Sequence, residues 1–238
     1  MGAESTFEEV QLADALRRPE RSTEPDPRCL SFAAMDQAGV RQWTLNDQYE
    51  AIRKVELNAS VPHSVRIHFE TAKNAYLYSW FVYRFFPIAE QHALTSLEFA
   101  LRERLAMVDR QILSGIKAPR PKGLAKYLHQ ARALKLIRNE GLHIREQSAL
   151  QRARHRYEME MLQRMMDSEL EEIVLDDAPV QVLDEDYCID WIGLFAKNLP
   201  VTRNAYAHGS KTLHPSVIRT FEIVGELINQ LFPMPGEA

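Results

Sequence analysis

The chain has 238 residues, 45% hydrophobic and 26% charged, with a formal net charge of −4. This is an ordinary globular composition, long enough for one large domain or two small ones, and it gives no global attraction to nucleic acid. The most apolar run, residues 75–89, carries Arg84 and Pro87 and falls short of the roughly 18 residues needed to cross a bilayer. The acidic, polar first residues predict no secretory signal. Cys29 and Cys188, neither in a C-x-x-C, fit a reducing cytoplasm better than a disulfide framework.

In chain order, residues 7–17 predict a short helix and residues 18–28 a Pro-, Ser- and Glu-containing linker, so that 1–35 reads as a mostly flexible N-terminal segment and 36–238 as the α-helical domain. Thr44 opens a helix to about residue 58, with Asp47 as the acidic arm of a capping box. Pro62 suits a first helical position. Phe69, Ala72, Tyr76, Trp80, Tyr83 and Phe86 then recur at steps of three and four up to Pro87. Such a stripe can stack nucleobases, but large aromatics dominate cores, so burial is expected. Leu94, Leu97, Leu101, Leu105 and Val108 continue the pattern, predicting two long central helices kinked or joined at Pro87.

Residues 114–123, with two prolines, read as a loop, and a helix is expected to follow to about residue 140, with Gly141 as its left-handed stop. Residues 149–172 predict a charged helix whose thin, Met-rich stripe packs by one narrow face or forms a self-association seam. Residues 173–186 read as an irregular connector or short hairpin, completing a charged helical insertion around 145–185. Asp186 is expected to cap the next helix, Pro200 to restart a helix, Gly209 to end it, and Pro215 to open the last one. The expected fold is therefore an all-α helical bundle with long central helices and that insertion.

Thr202-Arg203-Asn204-Ala205-Tyr206-Ala207-His208-Gly209 places a permanent cation, an amide and an imidazole within six consecutive residues. Arginine offers a planar fork of donors to phosphate oxygens, and histidine exchanges protons near neutral pH. Asn204 and His208, four apart, share a helix face, whereas Arg203 lies about 140° from His208 round a continuous helix. The length of Arg203, or a second copy of the chain, must close that gap. Arg138-Asn139-Glu140-Gly141-Leu142-His143 repeats the spacing, but the expected stop at Gly141 puts His143 beyond the helix, pointing away from Arg138. On helix periodicity alone, Glu98 and Arg102 form an i, i+4 surface ion pair.

Arg203 to His208 resembles the R-x4-H signature of the HEPN superfamily, in the form R-N-x-x-A-H followed by Gly209. The resemblance also takes in residues 97–105 and the terminal helix, about half of the chain. It implies a HEPN-like bundle and a dimeric, metal-independent endoribonuclease of the toxin or defence type, or a noncatalytic RNA-, nucleotide- or protein-binding module of the same fold. It assigns His208 as general acid/base, Arg203 to the phosphate, Asn204 to the phosphate or imidazole, and Glu98 and Arg102 to supporting positions.

Charge is unevenly spread. From Arg102 to Arg138 ten cations face only Glu103 and Asp109, while residues 165–196 hold acids and no Lys or Arg. Lys117, Arg120, Lys122 and Lys126 are the expected contacts to an RNA backbone. The histidines show no H-E-x-x-H or other metal spacing, so neither metal nor cofactor is expected. The expected partners are RNA, a second copy and an antitoxin protein; no membrane association is expected, and the expected compartment is the cytoplasm.

Overall fold

The computed structural model describes residues 14–112, 123–173, 180–208 and 213–236. Among them the fold is all-α: α1 (Leu45–Arg53), α2 (His63–Tyr78), α3 (Phe85–Ile112), α4 (Leu124–Ala133), α5 (His143–Asp167), α6 (Trp191–Ala207) and α7 (Ile218–Leu231), with one antiparallel hairpin of β1 (Ala33–Asp36) and β2 (Gly39–Gln42). The hairpin, in register Ala33 to Gln42 and Asp36 to Gly39, was not anticipated. Gly39 turns it at φ +117°, a left-handed conformation that suits glycine.

The predicted capping box opens α1: the Asp47 amide donates to Thr44 Oγ1 at 3.3 Å, and the Thr44 amide donates to Asp47 Oδ2 at 2.8 Å. The helix stops at Arg53, short of the expected residue 58.

α3 is the central element, with α2, α4, α6 and α7 all packed on it. Its face of Phe86, Leu94, Leu97 and Leu101 is fully buried with Phe69 of α2 and Phe221, Leu227 and Ile228 of α7. Each such side chain contributes about 1.5–3 kcal/mol on leaving water. The aromatic stripe is core, as expected: Phe69, Tyr76, Trp80 and Phe86 are buried, and the rings of Tyr76 and Phe86 meet edge-on at 5.7 Å.

The stripe does not run through to Pro87, however. α2 ends at Tyr78, and residues 79–84 turn the chain before α3 begins. Buried polar groups hold that turn. Gln48 donates to the Tyr76 carbonyl at 2.6 Å and to Ser79 Oγ at 3.0 Å, and the Asp26 amide donates to the Trp80 carbonyl at 2.9 Å. Carbonyls freed at the end of α2 thus find donors. Pro87, expected at a kink, sits in the first turn of α3, where its missing N–H is not needed.

The linker-like stretch 18–28 contains anchors. Asp26 is fully buried, accepts from Arg28 Nε at 2.9 Å and from the Tyr83 amide at 3.2 Å, and sits beside a buried Cys29. Arg28 and Arg84 also bind Asp14, at 2.9 and 2.6 Å.

Four further boundaries differ from expectation. α4 ends at Ala133, and the left-handed residue after it is Lys135 at φ +57°. Gly141 instead closes a 3-10 turn, Asn139–Gly141. α6 is capped by Asp190, whose carboxylate accepts from the Gly193 amide at 3.1 Å. Asp186 belongs to the turn Asp184–Tyr187, where Arg156 and the Leu183 amide hold it. Pro200 lies inside α6 rather than starting a helix; the buried residues Ile192, Phe195, Ala196 and Leu199 anchor the part of α6 that precedes it. The last helix starts at Ile218, after Val217, and not at Pro215.

The charged helix is present as α5. Only Ala149 and Ala153 are buried on it, and Met159, Leu162 and Met166 are exposed. No helix among the described residues is long and apolar enough to cross a membrane.

Candidate functional site

The last turns of α6 carry the Arg203–His208 segment against α3. Arg203 is about one-third exposed, and its Nη2 lies 3.2 Å from Glu98 Oε2 while its Nη1 donates to Asn204 Oδ1 at 3.2 Å. Asn204 is exposed and lies four residues before His208.

His208 is the C-cap. Its amide donates to the Asn204 carbonyl at 3.0 Å, and its ring is exposed with no hydrogen-bond partner among the described residues. Within one copy, therefore, Arg203 meets Glu98 and Asn204 but not His208. Arg102 stands apart from this group: it is exposed, with its guanidinium 5.1 Å from the centre of the Phe99 ring. Glu98 pairs across to α6 rather than along its own helix to Arg102.

Of the expected RNA contacts, Lys126 is exposed on α4. Lys117, Arg120 and Lys122 lie outside the described residues, as does Gly209. The second R-x4-H copy has other duties. Asn139 accepts from the Ile192 amide at 2.9 Å and donates to Asp190 at 3.3 Å, bracing the start of α6, while His143 Nδ1 lies 3.3 Å from Glu226 Oε1.

One group beside the motif was not singled out in the sequence. Glu90 of α3 is buried and accepts from the Tyr206 hydroxyl at 2.7 Å and from the Thr220 hydroxyl at 2.6 Å. His214 Nε2 lies 2.8 Å from the Tyr206 oxygen and 3.5 Å from Glu90 Oε2. Burial, reinforced by the bond to Glu90, pushes the Tyr206 phenol well above its ordinary pKa. Tyr206 is thus a neutral hydroxyl at physiological pH and ties the motif turn to α3 and α7. A signal existed: Glu90 falls on the apolar face that runs through Phe86, Ala93, Leu94 and Leu97, where an acid is expected only with buried partners.

Between α2 and α3 the rings of His68 and His92 stack at 4.2 Å, and His68 Nδ1 lies 2.8 Å from Ser96 Oγ. Burial lowers the pKa of both imidazoles, so this pair is neutral at physiological pH. Among the described residues no three His, Cys, Asp or Glu side chains are grouped to hold a metal ion.

Chemically, the α6 end presents a donor fork held by one ion pair to Glu98 and one hydrogen bond to Asn204, together with an amide and a solvent-facing imidazole. Comparison with family models, curated proteins and solved structures finds no match, so the resemblance of this segment rests on its own residues.

Proposed function

We propose that this protein is a HEPN-like, metal-independent endoribonuclease that works in the cytoplasm as a homodimer, as a toxin held by an antitoxin or as a defence component. The observation that carries this reading is the placement of Arg203: Glu98 and Asn204 hold its guanidinium at the surface, on the same terminal turns of α6 as the unpartnered ring of His208. In this scheme His208 takes the proton from an RNA 2′-hydroxyl. The oxygen attacks the adjacent phosphorus, the bond to the 5′-oxygen breaks, and the imidazolium of a second copy protonates that leaving oxygen. Arg203 neutralises the charge growing on the phosphoryl oxygens. The product is a 2′,3′-cyclic phosphate, and DNA is inert.

Incubating the purified chain with single-stranded RNA in EDTA tests this. We expect cleavage that falls about 10² to 10⁴-fold in His208→Ala and is lost in Arg203→Ala, with no cleavage of the matching DNA. A second reading, a noncatalytic RNA-, nucleotide- or protein-binding module, draws on the lack of contact between Arg203 and His208 within one copy. Binding without cleavage, unchanged between pH 5 and pH 8, would favour it.

A further inference from the structure

A cleft of about 520 Å³ opens between the end of α7, the α4–α5 connection and α3. Arg104, Lys135 and Arg138 line it, and Glu226 is its one acid. Arg104 is six residues beyond Glu98 on α3, about 120° round the helix axis, so the cleft faces away from the Arg203 contact.

Three cations against the single carboxylate of Glu226 leave the cleft net positive. Glu226 accepts from the His143 amide at 3.2 Å, and its Oε1 lies 3.3 Å from His143 Nδ1. Among the described residues no carboxylate lies within ion-pair distance of Arg104, Lys135 or Arg138, whereas neighbouring Arg132 is paired with Asp190 at 2.7 Å. Arg104 Nε is sealed from solvent without a hydrogen-bond acceptor, and its guanidinium carbon lies 5.9 Å from the centre of the Phe232 ring.

The cleft's amides are already committed. Gln230 accepts from the Arg138 amide at 2.7 Å and donates to the Gly141 carbonyl at 3.0 Å, and Asn229 accepts from the Asn58 amide at 2.9 Å. These bonds make a rigid wall and leave the cations as the free binding groups.

Lys135 lines the cleft beside the two arginines, at a φ of +57° that glycine adopts without strain and a lysine does not.

We infer that the cleft formed by Arg104, Lys135 and Arg138 binds a compact, multiply charged phosphoryl anion. Paired phosphoryl groups match the chemistry: two guanidinium forks and an ammonium supply donors to several oxygens at once, and the volume suits a small ligand. The same phosphoryl chemistry can come from a free ligand or from consecutive phosphates of an RNA strand. The inference does not depend on Arg203 or His208.

The test is calorimetric titration of the full chain with inorganic pyrophosphate, beside the double variant Lys135→Gly, Arg138→Gln and with a short single-stranded RNA as competitor. We expect saturable binding at low salt, weakened about tenfold or more in the double variant. The Lys135→Gly single variant should melt no lower than the parent, because glycine relieves the left-handed backbone. If the RNA displaces pyrophosphate, the phosphates belong to a strand; if it does not, they belong to a free ligand. Absence of saturable binding by both probes, or equal affinity in the double variant, overturns the inference.

Discussion

Arg203 reaches from α6 to within 3.2 Å of Glu98 Oε2 on α3, yet that carboxylate oxygen is sealed from solvent and takes no hydrogen bond. Charge alone holds the contact, and Asn204 supplies the aligned bond at 3.2 Å. A guanidinium so placed is fixed in position without having its donors used up, the condition for receiving a phosphate. It also leaves Glu98 dependent on its partner.

Arg203→Ala should therefore destabilise the fold by about 1–2 kcal/mol, less than a fully buried pair because both groups are partly solvated. Adding Glu98→Gln should recover most of that loss, since the unpaired charge is gone. Urea unfolding of the two single variants and the double variant checks this; additive losses would mean that the two side chains are not coupled.

Glu90 accepts from two hydroxyls that bond to no other carboxylate among the described residues. Glu90→Ala should cost about 1–3 kcal/mol by leaving the Thr220 hydroxyl unsatisfied and Tyr206 with His214 alone, whereas Glu90→Gln keeps an acceptor and should cost about half as much. Thermal melts of both variants rank them. A Glu90→Ala protein as stable as the parent would show that water replaces the carboxylate without loss.

The N-terminal anchor should make stability acid-sensitive. Burial alone would raise the Asp26 pKa, but bonds from the Arg28 guanidinium and from the Arg28 and Tyr83 amides outweigh it and hold the carboxyl below its ordinary value. Bonding to Arg84 does the same for Asp14. A folded pKa below the unfolded one contributes stability that is fully present above about pH 4 and is lost as the pH falls through the folded value. The urea midpoint should stay level from pH 7 to pH 5 and drop below about pH 4. In Asp26→Asn the midpoint at pH 7 should be lower and the acid drop shallower; an acid drop unchanged in that variant would locate the titration elsewhere.

Where the segment after α1 meets α7, a methyl group added to Gly225 would stand 2.9 Å from Val55 Cγ1 and 4.0 Å from Phe69 Cζ of α2. Alanine favours a helix over glycine by about 1 kcal/mol, while overpacking costs about 1–3 kcal/mol. Gly225→Ala should thus be destabilising by up to about 2 kcal/mol and be rescued in part by Val55→Ala. Denaturation of the pair shows it, and a stabilised single variant would mean that Val55 shifts freely.

The amino-acid order determined the helices. Apolar spacing through Phe69, Tyr76, Leu94, Leu97 and Leu101, the Thr44 cap and the Arg203–His208 segment are local patterns, and each residue carries its own signal. Only the tertiary structure decided where those helices stop and whom their polar residues meet. The α2–α3 turn depends on Gln48 and Asp26 supplying donors from distant segments, so Pro87, the strongest local breaker, marks the wrong place. The partners of Glu98 and Glu90 lie more than a hundred residues away on α6 and α7, and no local period encodes a bond across that distance. The left-handed stop is Lys135, and Gly141 instead lies where a side chain would meet Gln230, a contact that exists only once α7 has docked.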